Sequence, residues 1–382
     1  MEFELNDEQR MIRDLCHEFA EREIAPHVEQ WYDAGYFPVE IFQKMAGLQL
    51  MGLLVSEKYG GTDAGTVAFV AAMEEIAAVD QSIAATWNAH LTIGSLPFLY
   101  FGTEEQKQRW LVPLARGEIL GAFGLTEPEA GSDAANIKTT AVASGDSWTI
   151  NGTKCFISNA GTPLSYGLVV LAVTGRDVDG KKRYGTLVVP RGTPGYTVGP
   201  RYTKIGWHMV DTREQIFQDC RVPRENLLGP EGAGFRQFMH TLDVGRISVA
   251  AVSVGLALAA LDLALRYASQ RVTFGKPIAK HQAIQFKLAD IATALDAARL
   301  LTYRAAWLRD AGAPYAKEAA MAKLFASEAA VRAVEEAVQI HGGYGYTRDY
   351  AVSRFYLDSK VLTIGEGTSE VQRMVIARHL GC

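Results

Sequence analysis

Cysteine is scarce: Cys16, Cys155, Cys220 and Cys382 are the four in 382 residues. No two form a C-x-x-C pair, which argues against a zinc site or a disulfide framework and fits a reducing compartment. The eight histidines fall into no H-E-x-x-H or comparable spacing, so no metal is expected. Lysine and arginine are scattered, without a basic run, and the formal net charge is −5. Nucleic acid is therefore not an expected partner. Residues Met1 to Arg10 are acidic and polar and lack the basic-then-apolar order of a signal peptide. The expectation is a cytoplasmic chain, or one of the mitochondrial matrix if this is a mature eukaryotic form. The strongest apolar run, Ile247 to Leu261, is about 15 residues, short of the roughly 18–20 that span a bilayer. It predicts a buried helix and no membrane span.

Against these absences stands a hydrophobic content of 48%, ample for large cores and for two or three domains. Residues 1–119 read as helical. Asn6 is placed to cap a helix in which Met11, Ile12, Leu15, Phe19 and Ile24 recur at helical spacing. Pro38 suits the first turn of another, and Glu104 to Leu111 reads as a short amphipathic helix. Residues 120–229 change character. Short runs such as Thr139–Ala143, Ser147–Ile150, Leu168–Val173, Gly185–Val189 and Tyr196–Val198 predict strands. Ser144-Gly145-Asp146 and Asn151-Gly152 read as the turns between them. Residues 230–382 are helical again. Phe235–Arg271 forms one helix or two, followed by Gln282–Ala311 and Pro314–Ile340. Long helices on short connections predict a four-helix bundle. The expected fold class is thus multidomain α and β: an N-terminal helical domain, a middle antiparallel, barrel-like β domain and a C-terminal four-helix bundle. Strands and helices do not alternate, which excludes a Rossmann arrangement.

Four segments carry candidate chemistry. In Ile364-Gly365-Glu366-Gly367-Thr368-Ser369-Glu370 two glycines bracket one carboxylate just ahead of a helix. Ser369 and Gln372 have capping-box spacing, and the free N–H groups of such an end attract phosphate. Alone, the segment reads equally as a capped helix behind a solvated acid. Leu125-Thr126-Glu127-Pro128-Glu129-Ala130-Gly131-Ser132-Asp133 supplies hydroxyls, a glycine and consecutive amides for a flavin edge or a pyrophosphate, or it is an ordinary turn. Arg271-Val272-Thr273-Phe274-Gly275-Lys276-Pro277 separates two helices and adds a guanidinium fork and an aromatic face to its breakers. Gln339-Ile340-His341-Gly342-Gly343 ends a helix on a glycine pair that permits close approach to a ligand.

Taken together, in this order and on an α–β–α layout, the T-E-P-x-A-G-S-D loop, the R-x-T-F-G-K loop, the G-G-x-G turn and the E-G-T segment closely resemble the acyl-CoA dehydrogenase family. The resemblance covers nearly the whole chain. It implies tightly bound, non-covalent FAD. Flavin contacts would come from Phe123, Leu125, Thr126, Gly131 and Ser132, with Phe156, Ile157 and Ser158 along the ring system. Relatives often carry Trp and Thr at the first and third of these last three. Across a subunit interface, Arg271, Thr273, Phe274, His281, Gln282, Gln339, Gly342 and Gly343 would hold the adenosine diphosphate portion, with Thr368 and Glu370 on the other side. Glu370 is often Gln in relatives.

The resemblance makes Glu366 the catalytic base, removing the substrate α-proton while hydride passes from the β-carbon to flavin N5, giving a trans-2-enoyl-CoA. The thioester oxygen would be held by the base's own backbone N–H and a flavin ribityl hydroxyl. Burial should raise the Glu366 pKa and the following helix N-terminus lower it. Some members place the base on a bundle helix, where this chain has Gly245 and no carboxylate. Ser132, Asp243, Arg246, Gly365 and Gly367 are the implied substrate contacts. Gly365, where straight-chain relatives often carry Tyr, either opens room for short, branched or cyclic acyl groups, with a small Ala89 toward the pocket floor and Trp87 closing the depth, or merely relaxes the backbone. An electron-transfer flavoprotein is the implied acceptor and a homotetramer, a dimer of dimers, the implied assembly. Competing readings are a flavin oxidase or monooxygenase, a dehydrogenase of carrier-protein thioesters, and a flavin-free interaction protein on the same fold.

Overall fold

The computed structural model describes residues 4–382. Helix α1, Asp7–Phe19, begins as expected: the Asn6 side chain accepts from Gln9 N–H, and the Gln9 side chain returns to Asn6 N–H. Helices α2, Gly65–Val79, and α3, Gln81–Ala89, are buried almost all round. They are enclosed because α4, Gly234–Gln270, lies against both. The sequence left α4 as one helix or two; it is one. Its approach to α2 is close enough that a Cβ on Gly255 would meet the Glu74 carbonyl at 2.5 Å.

The bundle is completed by α5, Gln282–Asp310, and α6, Ala316–His341, then α7, Ala351–Ser359, and α8, Ser369–Leu380. A single apolar core runs from Phe19 and Met45 through Phe69 and Trp87 to Ile247, Leu295 and Val334, so the two helical regions pack as one body. Among the described residues α4 alone is long and apolar enough to cross a membrane, and 78% of its apolar window is buried inside the fold.

Between these regions sits an eight-stranded sheet: β1 Phe123–Gly124, β2 Thr140–Ser144, β3 Ser147–Ser158, β4 Gly167–Arg176, β5 Lys182–Pro190, β6 Tyr196–Arg201, β7 Thr212–Pro223 and β8 Leu227–Leu228. The order is β6-β7-β3-β2-β4-β5-β8, with β1 added beside β4. Most pairs are antiparallel as expected. The β1–β4 and β2–β4 contacts are parallel, because more than a dozen residues intervene and permit a crossover.

Asn151-Gly152 is not a turn. It lies inside β3, where the register to β7 shifts between Ile150 and Gly152. Gly152 has φ +146°, and a Cβ there would meet Thr139 Oγ1 at 2.4 Å. A bulge needs glycine for the same reasons a turn does. Strand β7 escaped the sequence reading because its inward face includes buried Gln215, which accepts from the Tyr196 hydroxyl at 2.6 Å.

Candidate active site

Four helices converge on the Glu366 turn. The chain reaches it through a turn at 360–365, and Glu366 itself has φ +53°, followed by Gly367 at φ +100°. A left-handed glutamate costs about 1–3 kcal/mol and persists only where its surroundings hold it. Here α8 is capped by Thr368, whose Oγ1 accepts from Val371 N–H at 3.3 Å. The expected Ser369–Gln372 box does not form, because the left-handed glycine brings the chain into the helix one residue earlier. The Ser369 hydroxyl is buried without a partner. Gln372 Nε2 turns back to donate to the carbonyls of Glu366 (3.2 Å) and Gly367 (2.9 Å). From α6, the buried Lys323 Nζ donates to the same Gly367 carbonyl at 2.8 Å.

Opposite the turn, α3 contributes Asn88, whose Nδ2 donates to Glu366 Oε1 at 3.5 Å. Helix α4 contributes an absence: a Cβ on Gly245 would lie 1.7 Å from Glu366 Oε2. Oε2 is buried and has no protein partner. Burial pushes the Glu366 carboxyl up to about 7, against the opposing charge of Lys323, the Asn88 hydrogen bond and Arg246. Desolvation outweighs these three groups. Next to Gly245, Arg246 is buried and paired with Asp243 at 2.5 Å. Gly365 is open on its side-chain side, where a Cβ would meet only the Val361 carbonyl at 3.5 Å. Trp87 is held in the core. Its indole donates to the Leu50 carbonyl, and it meets Phe69 edge-on. Asn88 is the neighbour that presents itself to the base.

The 123–132 loop leaves the sheet at β1. The Phe123 ring stacks on Phe238 at 4.0 Å and is nearly buried. Leu125 and Thr126 are half-buried, and Gly131 and Ser132 are exposed with open space at the Gly131 Cβ position. The loop is pinned by a pair the sequence reading missed. Lys154 Nζ donates to Glu127 Oε1 at 2.7 Å and to the Leu125 carbonyl at 3.0 Å. Glu127 also accepts from the Lys138 and Thr139 amides. Burial opposes the charge on Glu127, yet Lys154 and these donors hold it below the usual range, while burial brings Lys154 down to about 8. Two residues further along β3, a second register shift throws the Phe156 ring outward; it is 66% exposed at φ +59°, beside Tyr202. Ile157 is buried and Ser158 half-buried.

A second cluster lies elsewhere. Arg271, Thr273, Gly342 and Gly343 line a cleft of about 450 Å³ with Tyr267, His341 and Tyr344. His341 stacks on Tyr267 at 4.3 Å, and Arg271 lies over the Tyr344 ring at 5.8 Å. Gly342 has φ +61°. Phe274 tips the adjoining hairpin and is 95% exposed, edge-on to His281. Gln282, Gln339 and Glu370 are exposed near helix ends. The cleft takes no residue from 123–132, from 156–158 or from the Glu366 turn.

These surfaces fit FAD. An exposed aromatic ring beside a glycine- and hydroxyl-bearing loop suits a flat ring system, and an arginine facing bare glycine backbone suits a pyrophosphate. No group of metal-ligating side chains occurs among the described residues.

The chain matches the profiles of three domains described as acyl-CoA dehydrogenase: the N-terminal domain over residues 6–118, the middle domain over 122–220 and the C-terminal domain over 232–381. It is 51% identical to a Bacillus subtilis protein named as a probable acyl-CoA dehydrogenase, with 100% of both chains covered. It is 45% identical to the human mitochondrial short-chain specific acyl-CoA dehydrogenase, covering 99% of this chain and 91% of that one. Butyryl-CoA dehydrogenase from Megasphaera elsdenii superposes with a TM-score of 0.97 at 43% identity, with 100% of both chains covered. This chain belongs to the acyl-CoA dehydrogenase family and is an FAD-dependent enzyme of that family.

Proposed function

We propose that Glu366 is the base that removes the α-proton of a short, branched or cyclic acyl-CoA, yielding a trans-2-enoyl-CoA. The observation that carries this reading is Oε2: a buried carboxylate oxygen with no protein partner, seated in the gap that Gly245 leaves in α4. A base whose pKa lies near the working pH balances availability against proton affinity, and burial brings Glu366 there. FAD, when bound, supplies the hydride acceptor. Asn88 fixes Oε1 and leaves Oε2 to take the proton. Among the described residues the Glu366 N–H donates to no protein acceptor, so it is free for the thioester oxygen, where negative charge develops. The Asp243–Arg246 pair lies along α4 beside the same space and is assigned to substrate, with Ser132, Gly365 and Gly367.

Open space at Gly365 favours a wide pocket next to the reacting carbons. The relatives named for short-chain acyl-CoA and butyryl-CoA favour a short one. An electron-transfer flavoprotein is the proposed acceptor. The proposed assembly is a dimer of dimers in which the Arg271 cleft of one protomer completes the site of its partner. Its support is the separation of the two clusters and the exposed Phe286, Leu300 and Trp307, which recur along α5 at multiples of seven.

The test is anaerobic bleaching of the bound flavin by butyryl-, isobutyryl-, 2-methylbutyryl- and octanoyl-CoA, with reoxidation in air followed afterwards. Bleaching by the short or branched esters and slow reoxidation are expected. Preference for octanoyl-CoA overturns the pocket reading, and rapid reoxidation favours an oxidase. Glu366→Gln is expected to keep flavin and lose nearly all turnover. Activity within about tenfold of the parent, roughly 1.4 kcal/mol of barrier, rules Glu366 out as the base.

A further inference from the structure

Lys323 is fully buried, and among the described residues its ammonium forms no ion pair within 4.0 Å. It sits mid-helix on α6, and its one hydrogen bond goes to the Gly367 carbonyl, at 2.8 Å. Burying a cation without a counter-ion is costly, and a chain without a use for it does as well with methionine or leucine. The charged groups that face it are Glu366, Glu370 and Glu328, which favour its charge, and Arg246, which opposes it. Glu366 ranks first among them, and in return Lys323 is the foremost group favouring the ionised form of Glu366.

We propose that Lys323 is a positioning residue for the reaction. It latches the Gly367 carbonyl, holding Glu366 in its left-handed conformation, and its positive charge favours the carboxylate form of the base. The inference rests on Glu366 being the base.

Both effects follow from geometry. Gln372 grips the Glu366–Gly367 peptide segment from α8, and Lys323 grips it from α6, so the turn is fixed between two helices. Burial already pushes Glu366 up to about 7, so the base is only partly ionised at neutrality. Removing the nearby positive charge raises it further, and the base becomes protonated where the enzyme works. The acidic limb of kcat against pH then moves upward, while activity well above that limb is regained. A purely structural lysine would lower kcat equally at every pH.

The experiment measures kcat against pH under saturating butyryl-CoA for flavin-loaded enzyme. Lys323→Met removes donor and charge. Lys323→Gln keeps a donor for Gly367 without the charge. Lys323→Arg keeps the charge. The two uncharged variants are expected to shift the acidic limb up by about one pH unit, a tenfold loss of rate below it. Lys323→Arg is expected to keep the limb near its parent position. An unmoved limb in either folded, flavin-loaded uncharged variant overturns the proposal. So does failure of both to fold when Lys323→Arg folds, since the charge would then serve stability alone. An active Glu366→Gln variant would instead remove the base assignment on which this rests.

Discussion

Helix α4 yields at Gly245 to the carboxylate of Glu366: one added carbon there would sit 1.7 Å from Oε2, well inside van der Waals contact. Neither residue belongs to the other's element, and 120 positions separate them in sequence. The absence of a side chain on a bundle helix is therefore part of how the Glu366 carboxylate is placed.

Gly245→Ala should leave the fold intact, because α4 is helical there and alanine favours a helix over glycine. The cost should fall on turnover, since the carboxylate must swing away. A displacement of about 1 Å lowers rate on the order of a hundredfold. Steady-state kcat beside the thermal midpoint checks this. Unchanged kcat would mean that Oε2 is not the reacting oxygen.

The raised Glu366 pKa also predicts a stability difference with a definite sign. Below the ordinary glutamate pKa both folded and unfolded chains are protonated and the burial costs nothing. As pH rises toward about 7 the unfolded chain ionises first, and folding is progressively disfavoured by up to roughly 3 kcal/mol. Glu366→Gln removes that burden, less the attraction lost at Lys323. Its thermal midpoint should exceed the parent's at pH 8 and converge with it near pH 4. A constant offset across that range would contradict the burial argument.

Lys154→Met should strand the Glu127 carboxylate in the interior and loosen the flavin loop. Breaking one side of a buried pair costs about 3–5 kcal/mol. Combining it with Glu127→Gln should restore part of the stability but not the hold on Leu125, whose carbonyl accepts from Lys154. Chemical denaturation with flavin content as a second readout separates the two effects.

Arg271→Ala should weaken flavin retention by about tenfold or more, the worth of a charge-assisted hydrogen bond to a phosphate. The ratio of flavin to protein absorbance after gel filtration measures it, and the elution volume reports assembly at once. Full flavin occupancy in a monomeric variant would contradict a site shared between protomers.

The special backbone at Glu366 was legible in the glycines that flank it, and the structure gives both Glu366 and Gly367 positive φ; its reading as a base came from the family resemblance. Lys323 was not legible. A lysine in Ala-Lys-Leu on an alanine-rich helix reads as a solvent contact, and only the turn that packs on it 44 residues later makes it interior. Lys154 was hidden in the same way, since alternation along β3 places it inward but its partner Glu127 lies outside the strand. Asn151-Gly152 misled because turns and bulges ask for the same residues.

The length and apolarity of α4 bear on how the chain is made. As it leaves the ribosome, its α1–α3 side can already pack, but its partner α6 ends at His341, about 70 residues beyond Gln270. At about 5–20 residues per second, an apolar flank of α4 stays uncovered for roughly 4–14 s of each round of synthesis. Expression yield should therefore respond to growth temperature and chaperone supply. Truncations within α5 or α6 should aggregate rather than accumulate as a folded amino-terminal fragment.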